Sequence, residues 1–103
     1  VTNDLLSEIA TRITAHTNAE RVILFGSHAW GEASEDSDVA LLVVVPDSSD
    51  PPHRRAAQIH RILRGVAASC DVIVRTREEL SRLNPTRASL LYRALTEGKR
   101  LDG

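Results

Sequence analysis

Two aspartates open apolar runs that predict β-strands. Asp38 begins the run Asp38–Val45, and Asp71 begins the run Asp71–Val74. If these strands are neighbours in a sheet, the two carboxylates lie near each other at one edge, with backbones about 5 Å apart. Two such acids repel each other unless a cation lies between them, and hard carboxylate oxygens favour Mg²⁺. The pair therefore indicates a metal site with two candidate catalytic acids.

A second feature that could do chemistry is Gly26-Ser27, which ends the apolar run Arg21–Phe25. Glycine lets the backbone approach a ligand closely, and a serine can cap a short helix and offer its hydroxyl. Amide groups at a helix start bind anions. Taken alone, a Gly-Ser pair more often simply ends a strand. Combined with the two aspartates, it predicts metal-assisted phosphoryl or nucleotidyl transfer.

Apolar spacing predicts the elements that position these residues. The order is helix, strand, strand, helix, strand, helix, helix. Because a helix joins the second and third strands, they are expected to be parallel neighbours, whereas the orientation of the first two stays open. The fold class is α/β or α+β, a small mixed sheet with helices mainly on one face. The predicted helices are Asp4–Thr17, His53–Ala68, Thr76–Leu83 and one from Pro85 or Thr86 to Glu97, and the strands are Arg21–Phe25, Asp38–Val45, Asp71–Val74 and, as a candidate, Lys99–Leu101.

Composition limits the classes of protein. The chain has 103 residues, which fits a single domain over 1–103, and it carries 13 Lys and Arg against 14 Asp and Glu. This balance argues against a general nucleic-acid binder, which needs an excess of basic residues. The single cysteine excludes a disulfide framework. No apolar stretch reaches the ~18 residues of a membrane span, and no signal peptide is recognisable. We expect a cytoplasmic protein with no membrane association.

The chain resembles a known family. Gly26-Ser27, ten intervening residues and then Asp38 are similar to the signature of the polymerase-beta-like nucleotidyltransferases. The likeness is greatest to the minimal nucleotidyltransferases, the antitoxin partners of HEPN-domain toxins. It continues, in the family's order, through Gly31-Glu32-Ala33, Ser37-Asp38, Leu41-Leu42-Val43-Val44, Asp71-Val72-Ile73-Val74, and Leu90-Leu91-Tyr92 before Glu97-Gly98.

The resemblance implies a role for each site residue. Gly26 and Ser27 would hold the nucleoside triphosphate, and Asp38 would ligate Mg²⁺. Asp71 would be a further metal-binding carboxylate that helps to deprotonate the acceptor hydroxyl. The implied reaction transfers AMP from ATP to a tyrosine of a partner HEPN toxin, which silences the toxin. The implied assembly is a hetero-oligomer of toxin and antitoxin.

Residue 40 departs from the family pattern. Residues i and i+2 of a strand share a face, so an acid at position 40 would grip metal together with Asp38. The sequence has Ala40 instead. One hypothesis is an active enzyme disabled by this substitution, and it is the one we favour. The other is a natural pseudo-enzyme that neutralises its toxin by binding alone. A third, less favoured alternative is the nucleotide-binding domain of an antibiotic-modifying transferase.

Three further residues have open alternatives. His28 follows Ser27 and could contact phosphate, although a solvated loop histidine is the favoured interpretation. Trp30 could stack on a nucleotide base, although an anchor to the core is favoured. Cys70 is interpreted as a buried structural thiol.

Overall fold

The structure is a computed structural model that describes residues 2–34, 36–82 and 90–102. Its element order confirms the predicted succession and includes a short helix after Gly26. Within the described residues, no helix combines the length and apolar character needed to cross a membrane. The elements are α1 (Asn3–His16), β1 (Arg21–Phe25), α2 (Ser27–Trp30), β2 (Val39–Val45), α3 (Pro52–Ile62), β3 (Cys70–Thr76), α4 (Arg77–Ser81), α5 (Leu90–Glu97) and β4 (Lys99–Arg100).

The four strands form one mixed sheet in the order β3-β2-β1-β4. Strands β2 and β3 are parallel neighbours, as predicted from the helix that joins them. Strand β1 is antiparallel to β2, which resolves the orientation that the sequence left open. Strand β4 is also antiparallel to β1. The expected small mixed α/β sheet is therefore confirmed.

Several predicted boundaries were wrong. Helix α3 ends at Ile62 instead of Ala68, because the chain turns at Gly65 with φ of 88°. Strand β3 runs on to Thr76, because its last residues continue the ladder with β2. Strand β2 begins at Val39, one residue later than predicted. The predicted helix start at Pro85 or Thr86 lies outside the described residues.

The two long helices cover one face of the sheet. Strand side chains alternate between faces, so alternate residues of β2 point towards α1 and α3. The core on this side is apolar and almost fully buried. Helix α1 begins where the Thr2 hydroxyl accepts a hydrogen bond from the Leu5 amide at 3.1 Å, an N-cap that satisfies one free donor. The principal members of this core are Ile9, Ile13, Val22, Leu24, Leu41, Val43, Ile59 and Val74.

The opposite face has a smaller core that is covered by α5 and Trp30. Ile23, Phe25, Leu42 and Val44 of the sheet pack there against Ala94. Ala40 and Ile73 extend this second core towards the end of the sheet where β2 and β3 begin. Ala40 is only half-buried, which shows that this end of the sheet is less covered. The predicted site residues therefore belong to the thinly covered end of this face.

An ion pair between a buried arginine and a partly exposed glutamate joins α3 to α4. Arg55, a charged residue only 8% exposed, donates to Glu79 Oε1 at 2.6 Å and to the Asp50 carbonyl at 2.8 Å. Glu79 also forms the predicted capping box: its carboxylate accepts from the Thr76 amide at 2.8 Å, and its amide donates to the Thr76 hydroxyl at 3.1 Å. The hydrogen bonds from Arg55 and then Thr76 lower the pKa of the Glu79 carboxyl to about 2.

We predict that Glu79→Gln destabilises the protein by about 1–2 kcal/mol at pH 7, because a charge-assisted hydrogen bond is lost. The pKa of Glu79 in the folded state, about 2, lies below its ordinary value of 4.5. The stabilisation is therefore fully present above about pH 4.5 and is lost as the pH falls towards 2. Urea unfolding of both proteins at pH 7 and pH 3 measures the difference between them, which should shrink at pH 3.

The matched control is Glu78→Gln, one residue earlier on the same helix. Glu78 pairs with Arg82 across one helical turn, and both side chains are largely exposed. Such a pair contributes at most about 0.5 kcal/mol. Equal losses for the two variants at pH 7 would contradict the assignment of the stabilisation to the Arg55–Glu79 pair.

Candidate functional site

The Gly-Ser turn lies at the end of β1. Residues 22–25 of this strand are fully buried, so the position of the turn is fixed by the core. Gly26 has φ of 75° and ψ of −158°, a conformation that is accessible essentially only to glycine. A Cβ atom at this position would lie 3.3 Å from the Cβ of Ala40. The backbone conformation therefore requires Gly26, and an added side chain would also make a tight contact with residue 40.

Ser27 begins α2, as the sequence predicted. The carbonyl of Gly26 accepts from the amides of Ala29 and Trp30 at 3.0 and 3.1 Å, which closes the first turn. The carbonyl of Ser27 accepts from Glu32 at 3.0 Å. The first amides of a helix have no acceptor within the helix. The turn thus places Ser27 and the first amides of α2 directly after the glycine that adjoins Ala40.

Asp38, Ala40 and Asp71 share one face of the sheet. Asp38 lies immediately before β2 and two residues from Ala40, and Asp71 pairs with Ala40 across the parallel ladder. On its other side, Ala40 pairs with Phe25, the residue before Gly26. Both aspartates are exposed. Residue 40 therefore lies between the Gly-Ser turn and the second carboxylate.

This register corrects one expectation. Asp38 and Asp71 are not directly opposite each other, because the ladder pairs Asp71 with Ala40 and Cys70 with Val39. The residue after Asp38 is fixed by a backbone hydrogen bond, because the Val39 amide donates to the Ser69 carbonyl at 2.8 Å. In the backbone, Asp38 is diagonal to Asp71, because Asp71 lies opposite Ala40, two residues further along the chain.

The Cys70 thiol lies close enough to both Asp38 and Asp71 to be affected by their charges. Burial raises the pKa of the Cys70 thiol, and the negative charges of Asp38 and Asp71 raise it further. The thiol is half-buried, and it packs against the core on the α1 and α3 side. A raised pKa disfavours the thiolate, so this cysteine is a poor nucleophile. Its packing agrees with the interpretation of Cys70 as a structural thiol.

The residues present provide an incomplete set of metal ligands. Among the residues that the structure describes, no three His, Cys, Asp or Glu side chains converge as a metal site. The alanine methyl at position 40 offers no donor atom. Two exposed carboxylates remain, and Mg²⁺ commonly binds through one or two carboxylates, substrate phosphates and water. The oxygen chemistry of Asp38 and Asp71 fits Mg²⁺ when a phosphate substrate supplies further ligands.

His28 is not the solvated loop histidine that we expected from the sequence. Its Nε2 atom lies 2.9 Å from the carbonyl oxygen of Ser37, and the side chain is half-buried. The bond joins the residue after Ser27 to the residue before Asp38. No local sequence signal pairs two residues across an irregular loop, so sequence reasoning missed this contact.

Trp30 lies where the favoured interpretation placed it, packed against the core on the α5 side. The guanidinium of Arg93 stacks over its ring, 3.5 Å from the centroid. Such a cation–π contact adds about 0.5–1 kcal/mol at partly exposed positions. Trp30 thereby connects the helix that carries Ser27 to α5.

A cavity of about 360 Å³ opens beside Asp38. A larger cavity of about 520 Å³ lies between the end of α1 and α3, but none of the predicted site residues lines it. The smaller cavity is lined by Leu5, Asp36, Ser37, Asp38, Val39, Ala67, Ala68 and Ser69. Asp38 is the one predicted site residue in this lining, and Val39 packs into the core on the α1 and α3 side, whereas Ala40 packs on the opposite side. The candidate site is therefore the region around residue 40 and not this cavity.

Residues 6–101 match the nucleotidyltransferase domain family, so the chain belongs to that family. Domains of this family generally use a nucleoside triphosphate with a divalent metal. No curated protein matches the sequence significantly.

Three solved structures share the fold. A protein from Sulfolobus solfataricus, described as a nucleotidyltransferase, is 24% identical with a TM-score of 0.66, and the match covers 95% of this chain and 77% of that one. A toxin–antitoxin structure with AMP-PNP is 16% identical with a TM-score of 0.63, covering 98% and 73% of the two chains. A mutant of the toxin–antitoxin MntA-HpeT is also 16% identical, with the same coverage and a TM-score of 0.61. At these identities the likeness establishes the fold alone.

We predict that Gly26→Ala destabilises the protein by about 1–3 kcal/mol, since it forces a side chain into a glycine-only conformation. The new methyl group also meets Ala40 at 3.3 Å. Gly31→Ala is the matched control at the other end of α2. Its φ of 76° also disfavours a side chain, but the space around it is open, so about 1 kcal/mol should be lost. Urea unfolding measures both losses, and an equal or larger loss for Gly31→Ala would contradict the prediction.

Proposed function

We propose that this chain is a minimal nucleotidyltransferase that transfers AMP from Mg·ATP to a tyrosine hydroxyl of a partner HEPN toxin and so acts as its antitoxin. The observation that carries the proposal is the placement of the Gly26-Ser27 turn, Asp38 and Asp71 around one residue of the sheet. A turn that can hold phosphate beside two carboxylates suits attack on a phosphoryl group.

Each residue has a stated role in this proposal. The backbone of Gly26 and the Ser27 amide and hydroxyl hold the phosphates of ATP. Asp38 and Asp71 would hold Mg²⁺, which when bound supplies positive charge that stabilises the leaving pyrophosphate. Asp71 accepts the proton of the attacking hydroxyl. The acceptor oxygen then forms a bond to the α-phosphorus, the bond to pyrophosphate breaks, and the products are an AMP ester and pyrophosphate.

The acceptor is proposed to be another protein for a structural reason. The lining of the 360 Å³ cavity beside Asp38 does not include Gly26, Ser27, Ala40 or Asp71, so this cavity offers no acceptor pocket at the candidate site. The fold neighbours include two toxin–antitoxin structures. A hetero-oligomer in which the toxin supplies the acceptor would complete the site, and we place this assembly in the cytoplasm. The proposed unit is one nucleotidyltransferase domain over residues 1–103.

Ala40 favours a second candidate function. Because its methyl group replaces a carboxylate between the turn and Asp71, metal positioning is impaired and transfer by this sequence should be slow. A pseudo-enzyme that neutralises its toxin by binding alone would have no need of that carboxylate. The two functions differ in whether restoring the acid restores chemistry.

We predict that Ala40→Asp raises the rate of AMP transfer by about 100-fold or more, since loss of a residue that only hydrogen-bonds a metal ligand already costs about 10–100-fold. The assay incubates the purified antitoxin with its co-expressed toxin and Mg·ATP, and mass spectrometry detects added AMP on tyrosine. Ala40→Asn is the matched control, with the same size and no charge, and it should gain little.

Loss of transfer on adding Asp38→Asn to the Ala40→Asp protein would assign the chemistry to this site. No transfer by the Ala40→Asp protein, together with toxin neutralisation by the unchanged chain, would refute the enzyme and support the binding-only function.

A further inference from the structure

We propose that His28 is a positioning residue that sets the distance between the phosphate-binding turn and Asp38. This inference rests on the proposed function for its purpose, but the contact itself does not. Ten residues, 28–37, separate Ser27 from Asp38. His28 is the first of them and Ser37 is the last. The 2.9 Å contact between His28 Nε2 and the Ser37 carbonyl therefore closes the spacer at its two ends.

The chemistry of this contact defines the state of the imidazole. A carbonyl oxygen can only accept a hydrogen bond, so Nε2 must carry the proton and donate. The other ring nitrogen, Nδ1, takes no part in this hydrogen bond. The bond consequently requires a donor at the Nε2 position, which a substitution can retain or remove.

Asp38 depends on such a bond because it lies outside the ladder. Strand β2 begins at Val39, and the Asp38 side chain is exposed. On the C-terminal side of Asp38, the Val39 amide donates a hydrogen bond to the Ser69 carbonyl at 2.8 Å. On the N-terminal side, the Ser37 carbonyl accepts a hydrogen bond from His28. Asp38 is thus held between two bonded neighbours.

Ser37 is bonded through its other groups as well. Its hydroxyl accepts from the Ser34 amide at 2.9 Å, and its own amide donates to the Ser34 carbonyl at 3.2 Å. These bonds form a small turn, but both of its ends belong to the loop. Among the described residues, the hydrogen bond from His28 is the one that connects Ser37 to α2.

The functional consequence follows from how little displacement of its catalytic groups an active site tolerates. Catalytic groups must stay within about 0.5 Å of their productive positions. Because His28 is adjacent to Ser27 and Ser37 is adjacent to Asp38, one bond couples the phosphate contact to the metal ligand.

Two substitutions separate this role from a merely structural one. The amide nitrogen of Gln lies as many bonds from the backbone as histidine Nε2, whereas that of Asn corresponds to Nδ1. His28→Gln should therefore keep the bond to Ser37, and His28→Asn should lose it. Both side chains are uncharged carboxamides, so the pair compares the same hydrogen-bonding group at two lengths.

The experiment measures three quantities on the unchanged chain and both variants. Long-range ¹⁵N NMR should show the Nε2–H form of His28 in the unchanged chain. Amide hydrogen exchange of the Ser34 and Ser37 amides should be faster in His28→Asn only. Calorimetry with Mn²⁺ and AMP-PNP should show affinity lowered about 10-fold in His28→Asn and within 2-fold in His28→Gln.

The outcomes distinguish this inference from the proposed function. An Nδ1–H tautomer, or equal exchange and equal affinity in the two variants, would overturn the role of His28. Faster exchange only in His28→Asn, with no binding of Mn²⁺ and AMP-PNP by any of the three proteins, would support the positioning bond and contradict the proposed nucleotide site. Faster exchange and weaker binding in His28→Asn alone would support both.

Discussion

The site depends on the pairing of strand β2 on both of its sides. Residue 40 is hydrogen-bonded into a ladder whose neighbours are Phe25 on one strand and Asp71 on the other. The antiparallel partner brings the Gly-Ser turn to this residue, and the parallel partner brings the second carboxylate. A central strand that is buried along nearly its whole length cannot shift register, since a shift by one residue would turn its apolar side chains out of the core. The core therefore fixes the geometry of the site.

The fold was predictable because each element has a strong local signal. The β-branched run of β2, the capping box of Thr76 and Glu79, and the helix between β2 and β3 each indicate a structure without reference to the rest of the chain. Boundaries were less predictable. Apolar spacing continues past Ile62, whereas Gly65 turns the chain. The sequence alone does not say which of these two signals determines where the helix ends.

The residues of the candidate site were proposed from the sequence, whereas the contacts among them were less predictable. Gly26, Ser27 and the two aspartates come from motif spacing, and the structure gathers them at one end of the sheet. The diagonal relation of Asp38 to Asp71 depends on the strand register, which reflects the packing of the whole core. The contacts of His28 with Ser37, and of Arg93 with Trp30, join segments whose separation in space is set only after folding.

Arg55 has a consequence beyond its ion pair with Glu79. Strand β3 is the last strand on its side of the sheet, and an edge strand with free polar backbone groups can recruit a strand from another molecule. In this protein the carbonyl of Val74, near the middle of that strand, accepts from the guanidinium groups of Arg55 at 3.4 Å and Arg75 at 3.0 Å. Because that acceptor already has two donors, this point of the edge is a poorer template for an added strand.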